Sequence, residues 1–165
     1  MSDFINTIDV LGDDVVSTSI VMKTVTELKD NVITSVGTYA FYRCGELVSI
    51  TLPSVVSVGD NSFYLCSKLN SIDLASVKTI GNSAIAGCSS LKQLIIRSDT
   101  VCSIDYNNFM SGGITSANGY VYVPRDLVES YKTANNWNSI PNRFRALEDY
   151  TVDGTITGEL DYAKI

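Results

Sequence analysis

Histidine is absent from all 165 residues, and the chain holds one tryptophan, three prolines and 12 basic residues against 18 acidic ones. Without histidine, the commonest general base near neutral pH and the commonest neutral metal ligand are both missing. The net charge of −6 speaks against nucleic acid or an anionic membrane as partner, since both call for clustered Lys and Arg. No apolar run approaches the roughly 20 residues that a membrane-crossing helix needs, so no membrane insertion is expected. The opening Met1-Ser2-Asp3-Phe4-Ile5-Asn6 does not follow the basic-then-apolar order of a secretory signal. No export address is expected in the chain as it stands, and cell surface and virion both stay open as locations.

The chain is not short of apolar side chains, which make up 45% of it, enough for one domain with a continuous core. They are arranged periodically. Val36-Gly37 to Ser57, Val58-Gly59 to Thr79 and Ile80-Gly81 to Val101 align without gaps at a period of 22. Every chemically constrained position recurs: Gly37, Gly59, Gly81; Ala40, Ser62, Ala84; Phe41, Phe63, Ile85; Cys44, Cys66, Cys88. The same holds for Leu47, Leu69, Leu91, for Ile50, Ile72, Leu94, and for Leu52, Leu74, Ile96.

Alternation at Ile50-Thr51-Leu52 predicts a strand whose first and third side chains point inward. A unit this short cannot bury an apolar face alone, so successive units must stack on a shared core, with their strands parallel. Degraded copies flank the array. Val25, Leu28 and Ile33 match Leu47, Ile50 and Val55 one period earlier, and Ile104, Asp105 and Phe109 continue the pattern after a two-residue insertion, 104 − 80 = 24.

The stretch V-G-T-Y-A-F-Y-R-C-G-E-L-V-S-I-T-L-P at Val36 to Pro53 resembles the BspA-type leucine-rich repeat, over roughly Val25 to Phe109. Only the first copy keeps the proline, with Ala75 and Arg97 in its place later, and the third replaces phenylalanine by Ile85. The resemblance implies a right-handed, horseshoe-like solenoid of α/β type, with a narrow parallel sheet on the concave face and irregular or short helical segments opposite. It also implies adhesion or other surface recognition, with no catalytic motif and no cofactor. Gly119-Tyr120-Val121-Tyr122-Val123-Pro124 followed by Arg125 to Leu147 resembles the strand and helix that end such proteins. Leu127, Val128, Tyr131, Ala134 and Trp137 fall at helical spacing and give one apolar face, so a C-terminal helical cap is expected. The expected divisions are 1–35 for an N-terminal cap and degenerate first repeat, 36–110 for the repeats, 111–150 for the strand-helix cap and 151–165 for a tail.

Each candidate site has a plain structural reading beside the functional one. Outward strand positions Ser49, Ser71, Gln93 and Thr51, Asp73, Ile95 form a mixed face that either receives a protein or glycan ligand or is merely solvated. It shows no large aromatic or arginine anchor of the kind that dominates hot spots. Tyr39, Tyr42, Tyr64 and, farther on, Tyr106, Tyr120 and Tyr122 supply amphipathic rings that serve either partner contact or edge packing, with Tyr42 and Tyr64 stacked at a variable repeat position. Cys44, Cys66 and Cys88 form a ladder that reads as buried small spacers, against a metal or redox site; Cys102, just past the regular copies, is expected to be more exposed. Asp60, Asp73 and Glu46 do not recur as a pair, so no catalytic residue and no metal ligand is assigned. Asp13-Asp14 suits the start of a helix near Val15 to Met22, and Gly112-Gly113 reads as a turn, not a phosphate loop.

Asp153-Gly154 beside Thr155-Ile156-Thr157 signals a hairpin, and a small hairpin is marginal alone. Homo-oligomer formation through the terminal segments is therefore expected. The leading function is non-enzymatic protein or glycan binding. The alternative is a phage- or prophage-encoded virion or tail-associated structural or receptor-contacting protein, because the stretch Phe4 to Asp30 and the tail with Asp153-Gly154 and Thr155-Ile156-Thr157 also resemble small repeat proteins from prophage regions of gut Firmicutes.

Overall fold

The computed structural model describes residues 27–110 and 113–149, with the backbone alone at residues 113, 151–152 and 155–156. The helix expected near Val15 to Met22, the turn residue Gly112 and Asp153-Gly154 lie outside the described residues; Gly113 opens a helical turn, α1, Gly113–Ser116.

Two sets of parallel strands run through the stack. One six-stranded sheet has the order β1 (Glu27–Lys29), β3 (Ser49–Thr51), β5 (Ser71–Asp73), β7 (Gln93–Ile95), β9 (Tyr120–Val123) and β10 (Phe144–Ala146). A four-stranded sheet joins β2 (Ser35–Val36), β4 (Ser57–Val58), β6 (Thr79–Ile80) and β8 (Ser103–Ile104). Leu28, Ile50, Ile72, Leu94, Val121 and Phe144 lie side by side in register, and all are buried. The partner of Ile80 is Ile104, which is the two-residue insertion read from the sequence. This arrangement is compatible with a repeat solenoid. Between the sheets run the inward side chains of each rung, with Phe41 stacked on Phe63 at 5.2 Å and 9°.

Tight coils, not helices, connect the four-stranded sheet to the six-stranded one. Tyr39, Asn61, Ser83 and Asn107 have φ of 61, 53, 55 and 65°, and Arg43, Leu65 and Gly87 have 57, 58 and 73°. Left-handed residues at these recurring places aim alternate amides along the stack. Tyr39 N–H donates to Asp60 O (3.0 Å), Phe41 N–H to Ser62 O (2.7 Å) and Arg43 N–H to Tyr64 O (2.8 Å), and the next rung repeats the pattern. Close stacking explains the recurring glycine: a Cβ at Gly59 would stand 2.7 Å from Thr38 N, and one at Gly81 would stand 2.8 Å from Asp60 N.

A second ladder escaped the sequence reading. Ser54 and Ser76 donate their hydroxyls to Asn31 O and Pro53 O, each at 2.7 Å, and Ser98 donates to Val77 O at 2.6 Å. Each hydroxyl reaches back toward the preceding rung, so periodicity had a physical cause here too. Ser62 is different. It stands where Ala40 and Ala84 stand, is fully buried, and its hydroxyl has no hydrogen-bond partner among the described residues. A buried donor left unsatisfied costs about 1–3 kcal/mol. Ser62→Ala should therefore stabilise the chain by about 1 kcal/mol, read as a higher denaturant midpoint at unchanged slope; a lower midpoint would show that the hydroxyl has a partner in solution.

After β9 the chain makes a short helix, α2 (Val128–Thr133), and a 3-10 turn at Trp137–Ser139 before β10. The helical spacing expected through Trp137 breaks at Thr133, because Ala134 is extended (φ −68°, ψ 148°) and Asn136 is left-handed (φ 63°). Tyr131, Trp137 and Phe144 nevertheless reach the core and pack on one another. Tyr131 Oη accepts from Cys102 N–H (2.8 Å), Trp137 Nε1–H donates to Cys102 O (2.6 Å), and Asn136 Nδ2 donates to Ile104 O (2.7 Å). Backbone groups of the β8 rung that would otherwise face solvent are satisfied in this way. Farther on, β11 (Thr151–Val152) and β12 (Thr155–Ile156) pair antiparallel, as the alternation there suggested.

Candidate recognition surface

Strand register lays the outward side chains of the six-stranded sheet in two rows. The first runs Glu27, Ser49, Ser71, Gln93, Tyr120; the second runs Lys29, Thr51, Asp73, Ile95, Tyr122, Arg145. Five candidate positions, Ser49, Thr51, Ser71, Asp73 and Gln93, thus share one face. That face continues past Ile95, where the sequence reading of it stopped, into aromatic and arginine side chains. β9 and β10 add them: the Arg145 guanidinium lies 4.1 Å from the centre of the Tyr120 ring, Arg143 lies 6.0 Å from it, and Tyr120 and Tyr122 meet edge-on at 6.4 Å. Such cation-π contacts hold long side chains in place while leaving polar tips exposed.

Exposure is uneven along the rows. Ser49, Thr51, Ser71, Gln93, Tyr120 and Tyr122 are half-buried, whereas Ile95 and Asp73 are buried. Asp73 points outward yet is covered, because Arg97 from the following rung folds over it and forms an ion pair. Arg97 holds the place of Pro53 and Ala75, so the pair exists in one rung alone. Burial pushes the Asp73 carboxyl above its ordinary range, against the opposite pull of Arg97 and Lys29.

Tyr42 and Tyr64 sit on the coiled turns, apart from the sheet. Their rings stack at 5.5 Å and 8°, Tyr39 meets Tyr42 edge-on at 5.2 Å, and Arg43 lies 5.3 Å from the Tyr42 ring centre. They form a second, smaller surface and do not join the strand positions.

All four cysteines are free and buried. Cys66 Sγ donates to Phe41 O (3.0 Å) and Cys88 Sγ to Phe63 O (3.1 Å), so the thiols repeat as rung-to-rung donors. Cys102 is 1% exposed, contrary to the expectation, because the Tyr131 and Trp137 segment lies over it. Burial pushes the Cys88 and Cys102 thiols up to about 12, and raises Cys66 as well, with repulsion from Cys88 and Cys44 adding to it. Thiols so raised hold almost no thiolate at neutral pH, which is the nucleophilic form. The carboxylates are occupied locally: Asp60 accepts from Asn82 N–H (2.9 Å), and Glu46 pairs with Lys68 across one period (2.9 Å) in solvent. No cluster able to hold a metal ion occurs among the described residues, and no helix among them is long and apolar enough to cross a membrane.

With stacking, register and outward rows in place, the comparison with known families is decisive. The family described as BspA type leucine rich repeat region matches residues 4–123 in six copies. The chain belongs to that family. The match begins well before Val36 and reaches the end of β9, so the leucine-rich-repeat pattern extends past the three gapless copies in both directions. A comparison with curated proteins finds no match. Leucine-rich-repeat modules serve generally as non-enzymatic binding scaffolds.

Proposed function

We propose that this BspA-type leucine-rich-repeat chain is a recognition module that binds a protein or glycan partner, in adhesion or host contact, on the outward face of its six-stranded sheet. The observation that carries the reading is the cluster of Tyr120, Tyr122 and Arg145 in line with Gln93, Ser71 and Ser49. Tyrosine and arginine are the residue types that anchor interfaces, and small polar neighbours supply hydrogen bonds around them. In this reading the stack is a right-handed solenoid with the six-stranded sheet on its concave side. Parallel crossovers are right-handed in nearly all proteins, which supports that hand. The segment from Val128 to Ser139 is its C-terminal cap, a role supported by the burial of Tyr131 and Trp137.

Protein and glycan arrays probed with the intact chain, with Tyr120→Ala/Arg145→Ala and with Tyr42→Ala/Tyr64→Ala test this. Loss of two anchors should weaken binding by about 100-fold, whereas the turn-face pair should leave it within about twofold. Equal binding by the chain and its Tyr120→Ala/Arg145→Ala variant would refute the assignment. A second reading, assembly of copies through the terminal segments as in a virion component, draws on the β11–β12 pair beyond the sheet. Light scattering that finds only a monomer at high concentration would exclude it.

A further inference from the structure

The coiled turns end in a way that the sheet does not. At each internal junction three alternate amides of one rung donate to the next rung along the stack, as Leu65 N–H does to Ala86 O (2.9 Å). Asn61 N–H meets Asn82 O (2.9 Å), and Phe63 N–H meets Ala84 O (2.8 Å). The last junction joins Ser83 N–H to Tyr106 O (3.3 Å), Ile85 N–H to the side-chain Oδ1 of Asn108 (3.0 Å) and Gly87 N–H to Met110 O (3.1 Å). Asn108 is itself saturated, since its Nδ2 donates to Gly81 O and Asp105 O, both at 2.8 Å. By the same register the next donors are the amides of Asn107, Phe109 and residue 111; the last lies outside the described residues, and neither Asn107 N–H nor Phe109 N–H meets an acceptor among them. Asn107 is also left-handed, with φ of 65°, as Asn61 and Ser83 are, so this rung is shaped to receive another on top of it.

In place of another rung there is an open groove of about 430 Å3 between this turn and the Asn136 to Ile140 segment. Its walls carry amides and hydroxyls, and Tyr106 and Met110 beside it are 61% and 56% exposed. No basic side chain lines it and Asp105 does, which disfavours an anion. We propose that the groove is a peptide-binding site, distinct from the sheet face, in which a coiled and uncharged peptide segment takes the place of a further rung. Two alternate backbone carbonyls of that peptide accept from Asn107 and Phe109, continuing the rung-to-rung ladder, while an apolar side chain packs on Tyr106 and Met110. Pairing backbone to backbone gives such a site affinity without demanding one side-chain sequence, as strand addition does at a sheet edge.

Amide-resolved NMR of the full chain tests this, with a synthetic peptide copying the rung Gly59–Asn70 and carrying Asp60→Asn, Cys66→Ser and Lys68→Gln, so that its side chains are uncharged, as the probe. The Asn107 and Phe109 amides should move downfield on titration and exchange about tenfold more slowly. Asn138→Trp, which fills the groove from an exposed position, should abolish both effects, while Tyr120→Ala/Arg145→Ala should keep them. The proposal is overturned if these amides do not respond at millimolar peptide, if they are already protected in the free chain, if Asn138→Trp responds like the parent, or if chitotriose alone produces the shift.

Discussion

Trp137→Ala should cost about 3–5 kcal/mol of stability, a fall of about 6–20 °C in Tm, and should turn Cys102 from an inert thiol into a reactive one. The indole is fully buried, packs against Phe109, Tyr131 and Phe144, and donates to Cys102 O. Truncation removes a large apolar surface and leaves that carbonyl unpaired, so the cavity and the lost hydrogen bond add. Because rungs interact mainly with their neighbours, the damage should concentrate at this end. Native thiol counting reads that: no reactive thiol in the parent, one in the variant, and four in both after denaturation. Unchanged reactivity together with an unchanged Tm would mean that the Val128 to Ser139 segment does not seal this end of the core.

Asp73→Ala should cost about 3 kcal/mol, because it removes the carboxylate that pairs with the Arg97 guanidinium in a covered position. Replacing both partners by residues found at the same places in other rungs, Asp73→Thr with Arg97→Ala, should recover most of the loss. Urea titrations of the three chains check this; a double variant no more stable than Asp73→Ala would contradict it. The pH dependence has a definite sign. Burial raises the carboxyl in the folded chain, so the folded state holds that proton more tightly than the unfolded state does. Stability from this group is therefore greatest in acid, declines as pH rises from about 4 to the folded value, and is flat above it. Relative to Asp73→Asn, the parent should lose stability over that window.

Much of this was legible from the sequence because its cause is periodic. Gly59 and Gly81 recur since a Cβ would strike the preceding rung. Ile50, Ile72 and Leu94 recur since they share one core, and strand pairing followed from their spacing. What escaped is aperiodic. β10 is only Phe144-Arg145-Ala146 and pairs with β9 at an offset of 23, not 22, so the aromatic and arginine end of the outward face stayed hidden although Tyr120-Val121-Tyr122-Val123 alternates plainly. Asn108 substitutes a side-chain oxygen for a backbone carbonyl, which no residue pattern announces. The alternation at Ser71-Ile72-Asp73 placed Asp73 outward correctly, but its cover comes from Arg97, one rung further along the chain.

The whole reading of the face depends on β9 and β10 extending the sheet. Amide hydrogen exchange across Tyr120–Val123 and Phe144–Ala146 tests that most directly. The account predicts that amides donated between these two strands exchange as slowly as those between β3 and β5. Exchange at the rate of unstructured chain for residues 144–146, with β3 and β5 protected, would remove Arg145 from the face and contradict it.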